Sequence, residues 1–205
     1  MPHRPPILGL IGGVGGGKSL VAQMLAQEGC VVSDSDALAR ESFQDPQVRE
    51  RLRAWWGPRA FRADGSVDRA AVAAIVFADP AERARLESVV HPWIARRREA
   101  QFAAASPTAP ALVIDAPLLL EAGLDAACDR VIFVDSRLED RLQRVRDSRG
   151  WDAAELARRE AAQWPLDRKR AAAHHVLRND GSPESLRAQV RAVLQEIGRA
   201  QPPIR

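Results

Sequence analysis

The chain has 205 residues, a mass of 22.5 kDa, 46% hydrophobic residues and 28% charged residues. This length fits one domain, or one core with inserted subdomains, and the composition excludes collagenous, wholly disordered and membrane-embedded proteins. The net charge of +3 is too small to indicate nonspecific binding to nucleic acid, and only two of the 30 basic residues are lysines, Lys18 and Lys169.

The beginning of the chain and the cysteines indicate a protein of the cytoplasm. Residues 1–6 lead into an apolar run that is interrupted at Gly12, which suits neither a signal peptide nor a membrane span. Cys30 and Cys128 are far apart and show no metal-binding spacing. We therefore expect two small core residues in a reducing compartment and no membrane attachment.

Five short apolar runs, each bounded by turn or cap residues, are typical of buried parallel strands. Long segments rich in Ala, Leu, Glu and Arg separate them and predict helices. This alternation predicts an α/β fold with a five-stranded parallel sheet, helices on both faces and ligands at the carboxyl ends of the strands. The predicted strands are Ile7 to Ile11, Cys30 to Ser33, Ala111 to Ile114, Arg130 to Val134 and His175 to Leu177, and the predicted helices include Ser19 to Glu28, Pro80 to Ala105, Leu138 to Arg149, Ala153 to Ala173 and Pro183 to Arg199.

Two segments exceed what a simple crossover between strands requires. We expect a helical insertion at about 45–105 and a lid at about 137–173, both within a single domain over 7–200. The core would then consist of 7–44, 106–136 and 174–200. The stretch from Arg137 to Arg178 holds eleven basic and seven acidic residues, an excess that suits a lid over a phosphorylated small molecule, or simply a solvated helical face.

The segment from Gly12 to Ser19 matches G-x-x-x-x-G-K-[ST], the pattern of a phosphate-binding P-loop, between a predicted strand and a predicted helix. Its glycines let backbone N–H groups point at phosphate oxygens, and the helix N-terminus adds a partial positive charge. Lys18 would reach the β- and γ-phosphates, and the Ser19 hydroxyl would bind Mg²⁺. The alternative is a chance glycine-rich turn. We expect nucleotide contacts from Gly13, Val14, Gly15, Gly16, Gly17, Lys18, Ser19 and Leu20.

Acidic residues follow the second, third and fourth predicted strands. Asp34 and Asp36 stand two residues apart, and Arg40 follows Asp36 by one helical turn, so a carboxylate could take a proton from an acceptor while the arginine holds an anionic group. Helix capping is the alternative for both acids. Asp115 is placed to bind Mg²⁺ directly or through water. For Asp135 the sequence favours helix capping.

Beyond the P-loop, an ordered set of motifs resembles the dephospho-coenzyme A kinases over nearly the whole chain. The set comprises Asp34-Ser35-Asp36 with Ala39-Arg40, Val90-His91-Pro92-Trp93-Ile94, Pro117-Leu118-Leu119-Leu120-Glu121, Leu142-Gln143-Arg144, Arg159 with Ala162-Gln163, and Val176 to Ser182.

This resemblance implies a P-loop kinase with Mg²⁺ that transfers the γ-phosphoryl group of ATP to the 3′-hydroxyl of dephospho-CoA, without nucleic acid or an obligate protein partner. It makes Asp36 the catalytic base and Lys18 a catalytic residue. It implies ATP contacts from Arg144, Arg159 and Asn179. The implied acceptor contacts are Asp36, Arg40, His91, Pro117, Leu118, Leu119 and Glu121. Without the resemblance, His91 would be interpreted as a packing residue.

The sequence departs from the family pattern at two places. Leu20 stands where the family commonly has threonine, and Ala173-His174-His175 replaces the usual Ala-Asp before the last strand. The second departure questions any role for an acid there and the contacts expected around Asn179.

Two rival functions remain at this stage. Another small-molecule or nucleoside monophosphate kinase would share the core and differ in the acceptor pocket. A GTP-binding switch is disfavoured because Asn-Lys-x-Asp, the guanine-specifying motif, is absent from the sequence.

Overall fold

The computed structural model describes residues 4–200 and has a five-stranded sheet at its centre. The strands are β1 (Ile7–Gly12), β2 (Val31–Asp34), β3 (Leu112–Asp115), β4 (Arg130–Asp135) and β5 (His175–Arg178). Every pairing between neighbours is parallel, and the strand order is β2-β3-β1-β4-β5. The α/β class and all five predicted strands are confirmed, with ends that differ by one residue at most.

The register brings acidic residues together at the carboxyl edge of the sheet. Asp34 at the end of β2 is paired with Asp115 at the end of β3, and Asp115 is paired with Leu10 of the central strand β1. Asp135 ends β4 on the other side of β1. The loop after β1 therefore leaves the sheet between two strands that both end in a carboxylate.

Residues 4–200 contain nine α-helices. Those of the first half are α1 (Lys18–Gln27), α2 (Ser35–Ser42), α3 (Pro46–Trp56), α4 (Arg69–Ala78) and α5 (Pro80–Ala103). The others are α6 (Leu138–Arg149), α7 (Ala153–Glu160), α8 (Leu166–Ala171) and α9 (Pro183–Ala200). Across this described range, none of the helices combines the length and the apolar character needed to cross a bilayer.

The chain divides into two compact units. Unit 1 comprises the chain up to Asp34 and from Ala104 onward, and unit 2 comprises Ser35–Ala103. Unit 1 therefore holds the whole sheet, the P-loop and the segment predicted as a lid. Helices α2 to α5 form unit 2.

The core of unit 1 forms where helices α1 and α9 cover one face of the sheet. Leu8 and Leu10 of β1 alternate with residues on the other face and are fully buried. Val21 and Leu25, one turn apart on α1, pack into the same cluster, as does Val190 of α9. Burial of these side chains is the main free-energy term that holds the helices to the sheet.

Unit 2 has a core of its own. Val48, Leu52 and Trp56 repeat every four residues on α3 and are buried against residues of α4 and α5. Leu38 of α2 packs with Val90 and Ile94 of α5 in a second, smaller cluster. Leu38 and the partly buried Ala39 thus hold α2 against α5, and the ion pair between Glu41 and Arg97 adds a polar contact.

Asp45 caps helix α3 and ties it to α5, so removing its carboxylate is expected to destabilise unit 2. Its Oδ1 accepts the N–H groups of Gln47 and Val48 at 2.9 and 3.2 Å, and its Oδ2 accepts Trp93 Nε1–H at 2.9 Å. We expect Asp45→Ala to lower the free energy of unfolding by about 1–2 kcal/mol, measured by urea denaturation.

The Trp93 hydrogen bond, more than the backbone N–H groups at the helix start, holds the pKa of Asp45 below its usual range. A depressed pKa in the folded state means that this stabilisation is present above the unfolded pKa and is lost as the pH falls through the folded value. The difference between wild type and Asp45→Ala should therefore shrink in acid. Trp93→Phe, which removes only one of the three bonds, should cost less.

The segment 153–173 was predicted as one helix, and this prediction is wrong. Helices α7 and α8 are separated by residues 161–165. The N–H of Trp164 donates to the Glu121 carboxylate at 2.7 Å and not to a carbonyl of its own helix. Pro165 has no N–H with which to continue the hydrogen bonds of a helix. Its ψ of 146° is extended, and it is the N-cap residue of α8. A tertiary acceptor and a proline together end the helix.

Candidate active site

The glycine-rich loop connects β1 to α1 in the conformation that an anion site requires. Gly15 and Gly17 have φ angles of 73° and 94°, which glycine adopts without the steric cost that a Cβ brings. Gly16 N–H donates to Gly13 O at 3.0 Å and closes the turn. Gly17, which has no side chain, is the N-cap residue of α1. The amide groups at the start of the helix therefore point toward the loop opening, where a phosphate can accept them.

Asn179 supports this loop from outside. Its side chain is buried, its Nδ2 donates to Gly16 O at 3.0 Å, and its own N–H donates to Asp135 O at 2.8 Å. These bonds fix the carboxyl end of β5 to the P-loop and to β4. The predicted contact of Asn179 with ATP stays a prediction, beside a supporting role that the sequence did not reveal.

Arg144 makes a second set of contacts with the loop. Its Nη1 donates to Ser136 Oγ at 2.7 Å and to Gly15 O at 3.3 Å, and its Nη2 donates to Asn179 O at 2.9 Å. Ser136 Oγ also donates to Asn179 O at 3.0 Å. The planar fork of one guanidinium therefore joins α6, the P-loop and the turn after β5.

Arg141 is a residue of the site that sequence reasoning missed. Its side chain is buried and forms an ion pair with Glu160 at the end of α7. A Cβ on Gly13 would lie 3.0 Å from Arg141 Nη1, and a Cβ on Gly15 would lie 2.8 Å from the Arg141 carbonyl oxygen. These two glycines thus allow helix α6 to lie directly against the loop. Nothing in the sequence distinguishes Arg141 from its exposed basic neighbours.

The residues predicted to bind a metal provide oxygen donors on neighbouring elements. Ser19 lies in the first turn of α1, and Asp115 ends β3 beside Asp34. One hydroxyl and one or two carboxylates suit Mg²⁺, which keeps several waters and takes phosphate oxygens in kinases. Within residues 4–200, no group of three or more His, Cys, Asp or Glu side chains is arranged as an all-protein metal site. This donor set fits a metal ion that arrives with a nucleotide.

Comparison with known proteins identifies the family. The family model described as dephospho-CoA kinase (CoaE) matches residues 6–185. The chain belongs to the dephospho-CoA kinase family.

Individual relatives agree with this assignment. The dephospho-CoA kinase of Corynebacterium glutamicum is 39% identical over 193 residues, covering 93% of this chain and 98% of the relative. The crystal structure of TT1252 from Thermus thermophilus has a TM-score of 0.82 and 37% identity, covering 95% of this chain and 98% of that one. The dephospho-CoA kinase from Campylobacter jejuni has a TM-score of 0.67 at 19% identity, covering 94% and 97%, which supports the fold. The resemblance found in the sequence is confirmed.

The arginines of the basic segment, Arg137 to Arg178, have different partners. Arg159 donates to Glu155 at 2.8 Å on its own helix α7 and stacks on Trp151, 4.9 Å from the ring centroid. Arg170 pairs with Asp135 at the end of β4. The expectation that Asp135 caps a helix is wrong, because the N-cap residue of α6 is Arg137. The predicted contact of Arg159 with ATP stays a prediction that requires it to leave Glu155.

Neighbouring residues of the loop after β3 differ sharply in exposure. Leu118 is 45% exposed, whereas Leu119 is fully buried and would lie 3.1 Å from a Cβ on Gly9. Leu118 is therefore the leucine whose side chain can meet a ligand, and Leu119 supports the loop from beneath. Pro117 is partly exposed beside it. The role of this loop in binding an acceptor stays a prediction.

Glu121, at the end of this loop, has partners that the sequence did not indicate. Its Oε1 accepts the Trp164 N–H at 2.7 Å and lies 3.3 Å from the Lys169 ammonium. Burial acts to raise the pKa of Glu121, but the backbone N–H groups of Trp164 and Glu121 and the charge of Lys169 outweigh it and hold this pKa below its ordinary range. Glu121 is thus a charged residue inside unit 1.

The remaining predicted residues lie in unit 2. Asp36 is in the first turn of α2, and Arg40 follows one turn later; both are exposed. His91 is also exposed, next to the buried Val90 on α5. Interpreting His91 as a buried packing residue is therefore wrong, and its side chain is available to a ligand.

The departure at His174 concerns the opposite end of β5 from Asn179. His174 Nδ1 accepts the Val131 N–H at 3.0 Å, and the His174 N–H donates to Val131 O at 2.8 Å. The Nδ1 atom supplies a hydrogen-bond acceptor, which a carboxylate can also supply. Asn179 follows the carboxyl end of the strand. The replacement therefore lies at the amino end of β5, away from the carboxyl end that meets the P-loop.

Proposed function

We propose that this protein transfers the γ-phosphoryl group of ATP to the 3′-hydroxyl of dephospho-CoA, giving ADP and coenzyme A. The observation that carries the proposal is the supported P-loop, in which Asn179 and Arg144 fix the carbonyls of Gly16 and Gly15. Membership of the dephospho-CoA kinase family selects the acceptor. A cytoplasmic location and activity without an obligate protein partner stay predictions from the sequence.

On the nucleotide side, the chain supplies positioning and charge. The P-loop amides and the Lys18 ammonium bind the β- and γ-phosphates, where negative charge is held during an in-line displacement. Ser19 and Asp115 would hold Mg²⁺, which neutralises phosphate charge when bound. Asn179 and Arg144 hold the carbonyls of Gly16 and Gly15, so the loop is positioned before the nucleotide arrives.

On the acceptor side, Asp36 supplies the base. The Asp36 carboxylate takes the proton of the 3′-hydroxyl as its oxygen forms the new bond to the γ-phosphorus, while the bond to the ADP oxygen breaks. Arg40 and His91 bind anionic or polar groups of the acceptor, and Pro117 with Leu118 forms an apolar contact. All of these side chains are at least partly exposed, as a ligand contact requires.

The basic segment acts as the lid. Arg144 already contacts the loop, and Arg159 is the residue that moves from Glu155 to the triphosphate. Closure excludes water, which would otherwise accept the phosphoryl group and hydrolyse ATP.

An acceptor panel tests the proposed function. Purified protein is incubated with ATP and Mg²⁺ and with dephospho-CoA, each nucleoside monophosphate or no acceptor, and products are identified by mass spectrometry. We expect one phosphoryl group to be added to dephospho-CoA alone, at the 3′ position by phosphorus NMR. Transfer to a nucleoside monophosphate but not to dephospho-CoA would assign the rival kinase function. A parallel incubation replaces ATP with GTP, and hydrolysis of GTP without transfer to any acceptor would favour a switch.

A further inference from the structure

Lys169 is the most deeply buried cation among the described residues and has no part in the function proposed so far. Its residue exposure is 1%, although it lies on the short, charged helix α8. Its Nζ donates to Gln163 Oε1 at 2.7 Å and lies 3.3 Å from Glu121 Oε1. We call Glu121, Gln163 and Lys169 the lid latch.

The lid latch joins two segments that are far apart in sequence. Glu121 ends the loop after β3, which contains the exposed Leu118. Gln163 lies in the turn between α7 and α8, and Lys169 lies on α8. The Trp164 N–H adds a further bond to the same Glu121 oxygen. One ammonium and one carboxylate thus connect the predicted acceptor loop to the predicted lid.

The choice of lysine is informative in this chain, where 28 of the 30 basic residues are arginine. The ammonium is compact and can direct its donors to an amide and a carboxylate in a small space, whereas a guanidinium is a larger planar fork. A buried charge is strongly destabilising when its partner is removed. Lys169 and Glu121 therefore depend on each other.

The lid latch also acts on the P-loop through helix α8. A Cβ on Gly13 would lie 3.1 Å from Leu166 Cδ2 in the first turn of α8 and 3.2 Å from Glu160 Oε1 at the end of α7. The turn between α7 and α8 is therefore packed against the second residue of the P-loop. Any displacement of this turn changes the contact that bounds the loop at Gly13.

We propose that Lys169 is a positioning residue for phosphoryl transfer. With Glu121 and Gln163 it holds the α7–α8 turn of the lid against the P-loop, and it fixes the position of the acceptor loop relative to that turn. This inference rests on the proposed function. It reassigns Glu121 from contact with the acceptor to support of the loop that provides that contact. Its consequence is that the lid latch affects turnover more than nucleotide binding, since Asn179 and Arg144, which lie outside the lid latch, also hold the P-loop.

The test uses the near-isosteric variants Lys169→Met and Glu121→Gln and the double variant. With ATP, Mg²⁺ and dephospho-CoA we expect each single variant to lower kcat by about 10- to 100-fold, while the Kd for ATP changes little. The double variant should be no slower than Lys169→Met, because the two side chains act as one unit. Arg191→Met is the matched control: it breaks the ion pair between Arg191 on α9 and Glu28 at the end of α1, and it should turn over like wild type.

A second readout needs no turnover. Trypsin cleavage after Arg158 and Arg159, followed by mass spectrometry, should be faster in Glu121→Gln than in wild type or Arg191→Met. Equal cleavage and equal kcat in Glu121→Gln and wild type would overturn the inference. A fall in kcat that only follows the folded fraction seen by circular dichroism would overturn it too. If wild type fails to phosphorylate dephospho-CoA, the proposed function fails, and trypsin cleavage still decides whether the lid latch holds the turn.

Discussion

Replacing Asp36 with asparagine is expected to lower kcat by about 100- to 10,000-fold and to leave ATP binding nearly unchanged. Asparagine has the shape of aspartate and can still bind the 3′-hydroxyl, but it cannot take its proton. The nucleotide contacts that we propose come from residues 13–20 and from the lid, so the Kd for ATP should not depend on this carboxylate. Steady-state kinetics with dephospho-CoA and calorimetric titration with ATP measure the two quantities.

Glu41→Gln provides the matched control for Asp36→Asn. Glu41 lies five residues later on the same helix and pairs with Arg97 at 3.1 Å, so the substitution removes one negative charge from α2 at a position without a proposed role. We expect wild-type turnover. If Asp36→Asn turned over like wild type, Asp36 would not be the base. If Glu41→Gln lost as much activity, the effect would come from the charge of the helix.

The strands and the P-loop were predictable because their signals are local. Buried parallel strands require short continuous apolar runs, and the five runs found in the sequence are the five strands of the sheet. The glycines of the Gly12 to Ser19 motif indicate a backbone that only glycine adopts easily, and Gly15 and Gly17 do have positive φ angles. The acids at the ends of β2 and β3 are neighbours because parallel strands end at the same edge.

Features that depend on distant partners could not be predicted. The break between α7 and α8 has a local signal in Pro165, which the prediction of one helix overlooked, and a distant cause in the Glu121 carboxylate, which accepts a hydrogen bond from a residue 43 positions later. The support that Asn179 gives to Gly16 spans 163 positions. From helix propensity, 153–173 is expected to be one continuous helix. From the family resemblance, Asn179 is expected only to contact the nucleotide. In both cases a side chain forms a hydrogen bond with the backbone of a distant segment.

The scarcity of lysine shows what amino-acid composition can predict about single residues and what it cannot. Lys18 could be assigned from its motif, whereas Lys169 had no motif and lay in a segment whose neighbours are exposed arginines. Its rarity raised a question, but only the fold reveals that its ammonium meets Gln163 and Glu121. The sequence also could not separate Leu118 from Leu119, since the two differ only in which side of the loop they face.

Gly17→Ala is expected to weaken ATP binding by about 10- to 100-fold, because the site leaves no room for a methyl group. The φ of 94° is strained for any residue with a Cβ, and a Cβ there would lie 2.0 Å from Asn179 Nδ2. Strain of this kind costs about 1–3 kcal/mol, and Asn179 cannot move away freely because it is bonded to Gly16 O and Asp135 O. Either the P-loop or the turn after β5 must shift, and both carry residues with predicted ATP contacts. Isothermal titration with ATP measures the loss.

Two further variants separate steric overlap from general damage. Gly181→Ala lies two residues beyond Asn179, where an added Cβ meets nothing within 4 Å, so its ATP affinity should equal that of wild type. In Gly17→Ala with Asn179→Ala the overlap is removed while the strained φ persists, and affinity should recover in part. Wild-type affinity in Gly17→Ala would mean that the loop does not need this conformation to bind ATP. An equal loss in Gly181→Ala would mean that the turn tolerates no added bulk, and that the overlap with Asn179 is not the cause.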